Sequence, residues 1–289
     1  ALAPLCAHAQ AIEEKNLQSG KARLDPAKGY IFASGASRTF GTFLRVPDDS
    51  TRAEYQKDWD EGFAKAQQKY QSALKTWEND VALAKQTKSK PPAKPDEPTR
   101  ETFSIGAIEL RDMVGFGPMF VFSKNDTQFS YLTAVKPGTY IYYGPLISAP
   151  NVAPAGQCFC MGTVKFEVKA GAVTDLGNSL IALPKPAAPY SVGSQAVMKQ
   201  NEERKAKGKD PIWNPPELTY GVPDSLKAIP AERAEFHASG KLNNYFGVPI
   251  DRMPPIAGVL DYRRDTVVDV RAGTDVPNPP ILTQVRLKK

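Results

Sequence analysis

From Gln128 to Leu183 apolar and polar positions alternate. Phe129, Tyr131 and Thr133 share one face, and Thr139, Ile141 and Tyr143 alternate with Tyr140 and Tyr142. Val164, Phe166 and Val168 alternate with Thr163, Lys165, Glu167 and Lys169. A period of two marks half-buried strands. Lys136-Pro137-Gly138 and Ala170-Gly171 supply turn chemistry between them, with Pro where φ is fixed and Gly where φ is positive. The simplest expectation is an antiparallel meander, with a tight hairpin at Ala170-Gly171. Further upstream, Gly29–Ala33 and Arg38–Val46 read as two strands, joined in a hairpin through Ser34-Gly35-Ala36-Ser37.

The period then changes. From Thr51 to about Thr87 the apolar positions are Tyr55, Trp59, Phe63, Ala66, Tyr70, Ala73, Trp77, Val81 and Ala84. Steps of three and four with a mean near 3.5 are the spacing of a coiled-coil seam. Asp48, Asp49 and Ser50 offer N-cap oxygens and negative charge at the helix start. At 1.5 Å per residue this helix is roughly 55 Å long, longer than one small sheet can cover. Its aromatic seam therefore predicts either a helix lying across its own domain or an arm that recruits a partner or a second copy. The partner-binding candidates are Tyr55, Trp59, Phe63, Tyr70 and Trp77. Gly62 is the weak point of the helix, at about 1 kcal/mol against Ala. Pro91, Pro92, Pro95 and Pro98 end it and favour extended, polyproline-like chain leading back.

Strands are expected again at Phe103–Leu110, with a bulge at Gly106, and at Met119–Phe122. Gly115-Phe116-Gly117 between them runs into Pro118 and reads as a turn, since no helix follows to complete a phosphate-binding loop. After Leu183 the composition shifts to proline and charge. Short helices are expected at Ser194–Lys207, after Asp224, and from Pro230 through AERAEFHAS to Gly240, followed by one strand over Val259–Val270. The predicted fold is mainly β: an antiparallel β-sandwich over residues 12–183, with a long inserted α-helix and Pro-rich return at 51–98. An irregular, partly helical C-terminal extension follows at 184–289.

Composition sharpens this outline. The 289 residues are 41% hydrophobic and 24% charged, and the 26 prolines favour short strands joined by ordered loops. Lys and Arg exceed Asp and Glu by 37 to 31, with pI about 9.0. That balance suits an anionic envelope polymer, but no basic stripe is interleaved with aromatics, so no nucleic-acid partner is expected. Ala1–Ala11 holds no Asp, Glu, Lys or Arg, and Ala7-His8-Ala9 and Ala9-Gln10-Ala11 carry small residues where a signal peptidase reads. This stretch reads as a secretory-signal remnant and predicts a periplasmic or extracellular protein. No apolar run is long enough to span a bilayer.

Candidate chemistry is sparse. Of two histidines, His8 falls in the remnant, leaving His237 on the expected charged helix. One histidine and no cysteine cluster cannot build a multi-histidine zinc site, so no metal or cofactor is predicted. No G-x-S-x-G elbow accompanies His237. The scattered Asp251, Asp261, Asp265 and Asp269 define no carboxylate pair. Cys158-Phe159-Cys160 is the most particular feature. In a regular strand the two Cα atoms would be roughly 6.5 Å apart, near the limit for a disulfide, so a bridge requires a bend, which Ala155-Gly156 permits. A structural bridge, two packed thiols, a redox pair, and metal or intermolecular bonding are the open readings. Tyr140, Tyr142 and Tyr143 are the ligand-binding candidates, as a platform on which a sugar ring stacks.

The run VKPGTYIYYGPL followed by FEVKAGAVTDLGN resembles exported proteins and lipoproteins of Gram-negative bacteria that repeat a PGxY strand and then F-x-V-x-A-G-x-V-x-x-[IL]-G. The resemblance covers about residues 20–183 without the helix. It implies an envelope location and a non-enzymatic β-domain, and it transfers no functional residues. The expected function is a non-enzymatic interaction or structural protein of the envelope, acting through its helical arm. The alternative is an envelope-polysaccharide-binding module using tyrosines and basic residues, with a hydrolase or thiol redox protein behind it.

Overall fold

The computed structural model describes residues 10–36, 38–125, 128–149, 152–178, 180, 200–210, 219–256 and 258–278. The expectations for residues 1–9, the proline-rich stretch 184–190 and residues 194–199 lie outside these. The chain forms two compact units. One spans residues 47–108, and the other takes the described residues up to Val46 and from Glu109 onward.

The second unit is mainly β. In chain order its strands are β1 (Gln10–Ala11), β2 (Gly29–Gly35), β3 (Gly41–Arg45), β4 (Val114–Phe116), β5 (Ser123–Lys124), β6 (Phe129–Val135), β7 (Gly138–Gly144) and β8 (Leu146–Ala149). Then come β9 (Val152–Gly156), β10 (Thr163–Val168), β11 (Val173–Asp175), β12 (Ala231–Arg233), β13 (His237–Ser239), β14 (Leu260–Arg263), β15 (Thr266–Asp269) and β16 (Thr274–Asp275). One sheet runs β1-β6-β2-β11-β12 with β5 on β6, and a second runs β13-β10-β7-β3-β4. Most pairings are antiparallel, but β11 lies parallel to both β2 and β12. A short helix, α1 (Glu14–Gln18), follows β1.

The order of strands corrects the meander. β2 and β3 belong to different sheets, as do β6 and β7, and β10 and β11. The links from β2 to β3, β6 to β7 and β10 to β11 thus cross from one sheet to the other and are not hairpins. Pro and Gly serve a corner as well as a hairpin, because both need the same backbone reversal. The C-terminal region is corrected too. Ala231–Ser239 is not a helix. It places β12 on the edge of one sheet and β13 on the edge of the other, so this part of the expected extension completes both sheets. Val259–Val270 is a hairpin, β14 to β15, turning at Arg264, whose φ is 56°. Phe103–Ala107 forms no strand, and Ile108–Leu110 is a turn of 3₁₀ helix. Met119–Phe122 is not a strand either, and Gly115-Phe116 belongs to β4.

The core explains the burial pattern. Ile31 and Ala33 of β2 join Phe43, Tyr140, Tyr142, Val164, Phe166 and Val168 in one cluster fed by both sheets. The alternate residues Tyr30 and Phe32 pack on the other face with Ile12, Leu132, Val173 and Leu226. In the second sheet Leu44 and Tyr143 likewise face outward into a separate cluster with Leu146, Cys158, Cys160 and Val248. β2 is therefore buried on both faces, which is why it reads as an unbroken apolar run. β10 keeps the clean alternation, with Lys165 and Glu167 exposed and Val164, Phe166 and Val168 buried.

Candidate functional site

The helix of the first unit, α2, runs Asp49–Gln86. Asp48 caps it, its carboxylate accepting from Thr51 N–H at 2.8 Å. The chain leaves the β unit after β3 and re-enters it just before β4, and β3 and β4 pair with Phe43 opposite Val114. The insertion thus departs and returns at hydrogen-bonded neighbours.

The return segment covers the helix. Ser89 N–H donates to Ala84 O at 2.9 Å, and Trp77 Nε1 donates to Pro92 O at 2.9 Å. Glu97 lies beside Gln67 and Tyr70. The Phe103 ring stands 5.5 Å from both Trp59 and Phe63, which stack on each other at 5.2 Å. Arg100 places its guanidinium 5.6 Å from the Trp59 ring, and the Tyr55 hydroxyl donates to Gly106 O at 2.7 Å. These contacts run in opposite directions along the two segments, so the return is a strap lying antiparallel to the helix.

The scales match. About 44 Å of helix from Tyr55 to Ala84 is spanned by roughly 17 residues of polyproline-like chain, which reach about 50 Å. The prolines that end the helix also hold the strap extended. Gly62 now has a reason. A Cβ there would stand 3.1 Å from Phe103 Cζ and 3.3 Å from Ile105 Cγ2, so the glycine is where the strap's apolar end crosses the helix.

This answers the seam. Tyr55, Trp59, Phe63, Tyr70 and Trp77 are buried or half-buried, and four of them touch the strap through Gly106, Phe103 or Pro92, with Tyr70 beside Glu97. Of the two readings of the stripe, packing within its own chain and recruiting a partner, the contacts present are with the strap of the same chain. Leu74 takes the half-buried place expected of Ala73, which is exposed. Phe103→Ala removes the ring shared by Trp59 and Phe63. It should loosen the strap by about 2–3 kcal/mol, read as faster amide exchange across 99–106 with little change in the β unit. Unchanged exchange would mean the strap is not held by this contact.

The sheet tyrosines are not a platform. Tyr140, Tyr142 and Tyr143 are at most 1% exposed. Tyr140 donates to Lys136 O at 2.7 Å, and Tyr142 lies between Phe43 and Phe159. Tyr143 donates to Asn243 O and accepts from Tyr245 N–H, which ties residues 243–245 to the sheet. Burial raises the Tyr140 and Tyr142 hydroxyls and pushes Tyr143 up to about 12, so all three stay neutral. Tyr140, Tyr142 and Tyr143, on a strand buried on both faces, leave no ring face for a sugar.

Cys158 and Cys160 place their sulfurs 2.08 Å apart, with Cα atoms separated by 5.1 Å. The required bend is present: Cys158 bridges to Ile250 rather than continuing a strand, and Gly156 before it has φ 121°. Both cysteines are buried beneath Leu242, Tyr245, Phe246 and Val248. Cys158 N–H donates to Pro249 O and Leu242 N–H to Cys160 O, both at 2.9 Å.

His237 sits on β13 and not on a helix. Its Nδ1 is 3.2 Å from Asp269 Oδ2. Burial would raise the Asp269 carboxyl, but the Ala272 N–H and His237 outweigh it and hold the group below the ordinary carboxylate range. Asp175 is the opposite case. Burial raises it, although Gly177 N–H at 2.8 Å and Gly221 N–H at 2.7 Å each donate to one of its oxygens. It fastens the chain after β11 to the segment before Asp224–Leu226, a single turn of 3₁₀ helix where a short helix was expected. Among the described residues no three of His, Cys, Asp and Glu converge on a metal position. No helix among them is long and apolar enough to cross a membrane.

A third polar cluster was not visible from sequence. Arg45 Nη1 meets Asp112 Oδ2 at 3.2 Å, and Lys136 Nζ meets Asp112 Oδ1 at 3.0 Å. Arg45 Nε also donates to Pro137 O at 2.9 Å. Gly138, with φ 135°, leaves room for the guanidinium, since a Cβ there would lie 3.0 Å from Arg45 Nε. The cluster joins the residues at which the chain leaves and re-enters the β unit to the β6–β7 corner. No family model, characterised protein or solved structure matches the chain.

Proposed function

We propose that this chain is a non-enzymatic interaction protein of an oxidising envelope or extracellular compartment, a β-sandwich whose helix-and-strap insertion is its docking element. The observation that carries the reading is the insertion itself. It begins and ends at paired strands and has its own aromatic core around Trp59, Phe63 and Phe103. The β sheets close without it, so its roughly 60 residues contribute something other than sandwich stability. Because the aromatic seam is occupied by the strap, docking falls to the insertion's polar outer surface and not to a coiled-coil pairing.

The compartment rests on two supports: the pairing of Cys158 with Cys160, and the resemblance of the motifs at 135–146 and 166–178 to exported proteins. A redox role has poor support, because the pair is buried under residues 242–248. Polysaccharide binding through Tyr140, Tyr142 and Tyr143 loses its site to their burial.

Replacing residues 50–106 with a short Gly-Ser linker tests the reading. The β unit is expected to keep a single cooperative unfolding transition with its melting temperature shifted by only about 5 °C or less, while partner recovery by in-cell crosslinking is lost. Loss of cooperative folding would make the insertion a structural element of the sandwich and sink the proposal.

A further inference from the structure

The insertion is electrically polarised. From Asp48 to Glu61 it carries six acids against Arg52 and Lys57; from Lys65 to Pro95 it carries seven lysines against Glu78 and Asp80. From Val81 to Pro95 no acidic residue occurs, and Lys85, Lys88, Lys90 and Lys94 are all exposed. None of these four lysines makes an ion pair among the described residues. The helix dipole accounts for Lys85, which lies in the last turn of α2. It does not account for Lys88, Lys90 and Lys94, which lie beyond the helix in the strap. Leu83 adds a 57% exposed apolar side chain to the same turn.

We infer that this distal end, Val81–Pro95, docks on an anionic phospholipid surface. The inference rests on the docking reading of the insertion and names its partner. Lysines are mobile point charges suited to a diffuse plane of phosphates, and each contributes near such a surface. The segment contains no aromatic residue on which a base or a sugar ring would stack, which disfavours a nucleic acid or a glycan. Leu83 is placed to enter the headgroup layer while the neighbouring lysine stems keep their charges at its edge.

The test is sedimentation of the full chain with vesicles of phosphatidylcholine, with and without phosphatidylglycerol. Binding is expected only with the anionic lipid, and salt at about 0.5 M should abolish it. The K85Q/K88Q/K90Q/K94Q variant should bind roughly a hundredfold more weakly. The K21Q/K28Q/K205Q/K207Q variant removes the same charge from the β unit and should bind within about threefold of the parent. Leu83→Ser should weaken binding about threefold to tenfold. Equal loss in both lysine variants would show a net-charge effect and overturn the inference. So would no preference for phosphatidylglycerol, or binding to an anionic polysaccharide that the tip variant loses equally. If vesicles fail while crosslinked protein partners still depend on residues 50–106, the lipid assignment falls and the docking reading stands.

Discussion

Asp112→Ala is expected to destabilise the β unit by about 3–5 kcal/mol, because it removes a buried carboxylate that faces the Arg45 guanidinium. Arg45 and Asp112 are 7% and 8% exposed, and Asp112 faces Arg45 with one oxygen and Lys136 with the other. Lys136 is half exposed and can turn to water, so most of the cost comes from Arg45. Arg45 Nε keeps its bond to Pro137 O at 2.9 Å. Urea denaturation reads the loss as a shift in midpoint at constant slope. The partner experiment is Arg45→Met with Asp112→Leu. An apolar pair of similar volume removes both charges together and should lie closer to the parent than Asp112→Ala does. If Asp112→Ala falls within about 1 kcal/mol of the parent, the guanidinium has another route to solvation, and the clasp across the insertion's ends is not energetic.

Tyr142→Ala should cost about 3–5 kcal/mol, the usual range for removing a fully buried aromatic. The ring is 1% exposed and lies 5.5 Å from Phe43 and 5.7 Å from Phe159. The consequence is practical as well as energetic. Any loss of ligand binding in this variant would accompany loss of the core, so binding and thermal unfolding need to be measured on the same sample. A folded Tyr142→Ala protein with parent-like stability would contradict the two-faced burial of β7.

What could be read from the residues depended on whether the cause was local. The α2 helix was legible because its seam repeats every three or four residues and Asp48 stands at the cap. β10 was legible because only one of its faces is buried, so Lys165 and Glu167 interrupt Val164, Phe166 and Val168. Strand partners were not legible. Lys136-Pro137-Gly138 announces a reversal, but whether the chain returns to the same sheet or crosses to the other depends on contacts many residues away. The Ala231–Ser239 misreading had a remedy in the pattern. Good helix formers dominate AERAEFHAS, yet Ala234, Phe236 and Ala238 are buried while Arg233 and Glu235 are exposed, a period of two.

In the candidate site the seam was visible and its occupant was not. The strap has too few apolar residues to show a period, and its prolines announce an extended return without showing what it packs on. Phe103, Ile105 and the glycine opposite them at Gly62 were the available signals. The Arg45–Asp112–Lys136 cluster brings together residues far apart in the chain, and nothing in their spacing announces it.

The strap and helix measure the same distance in different units, and this sets how such an insertion can change length. A heptad added to α2 lengthens it by about 10 Å, whereas the strap needs only three or four residues to cover that distance. Matched changes are therefore unequal in residue number, roughly two helical residues for each one in the strap. An insertion or deletion in only one segment slides every aromatic past its partner. Length variation in a protein built this way is a gearing problem, and a single-residue change in the strap is the more disruptive move.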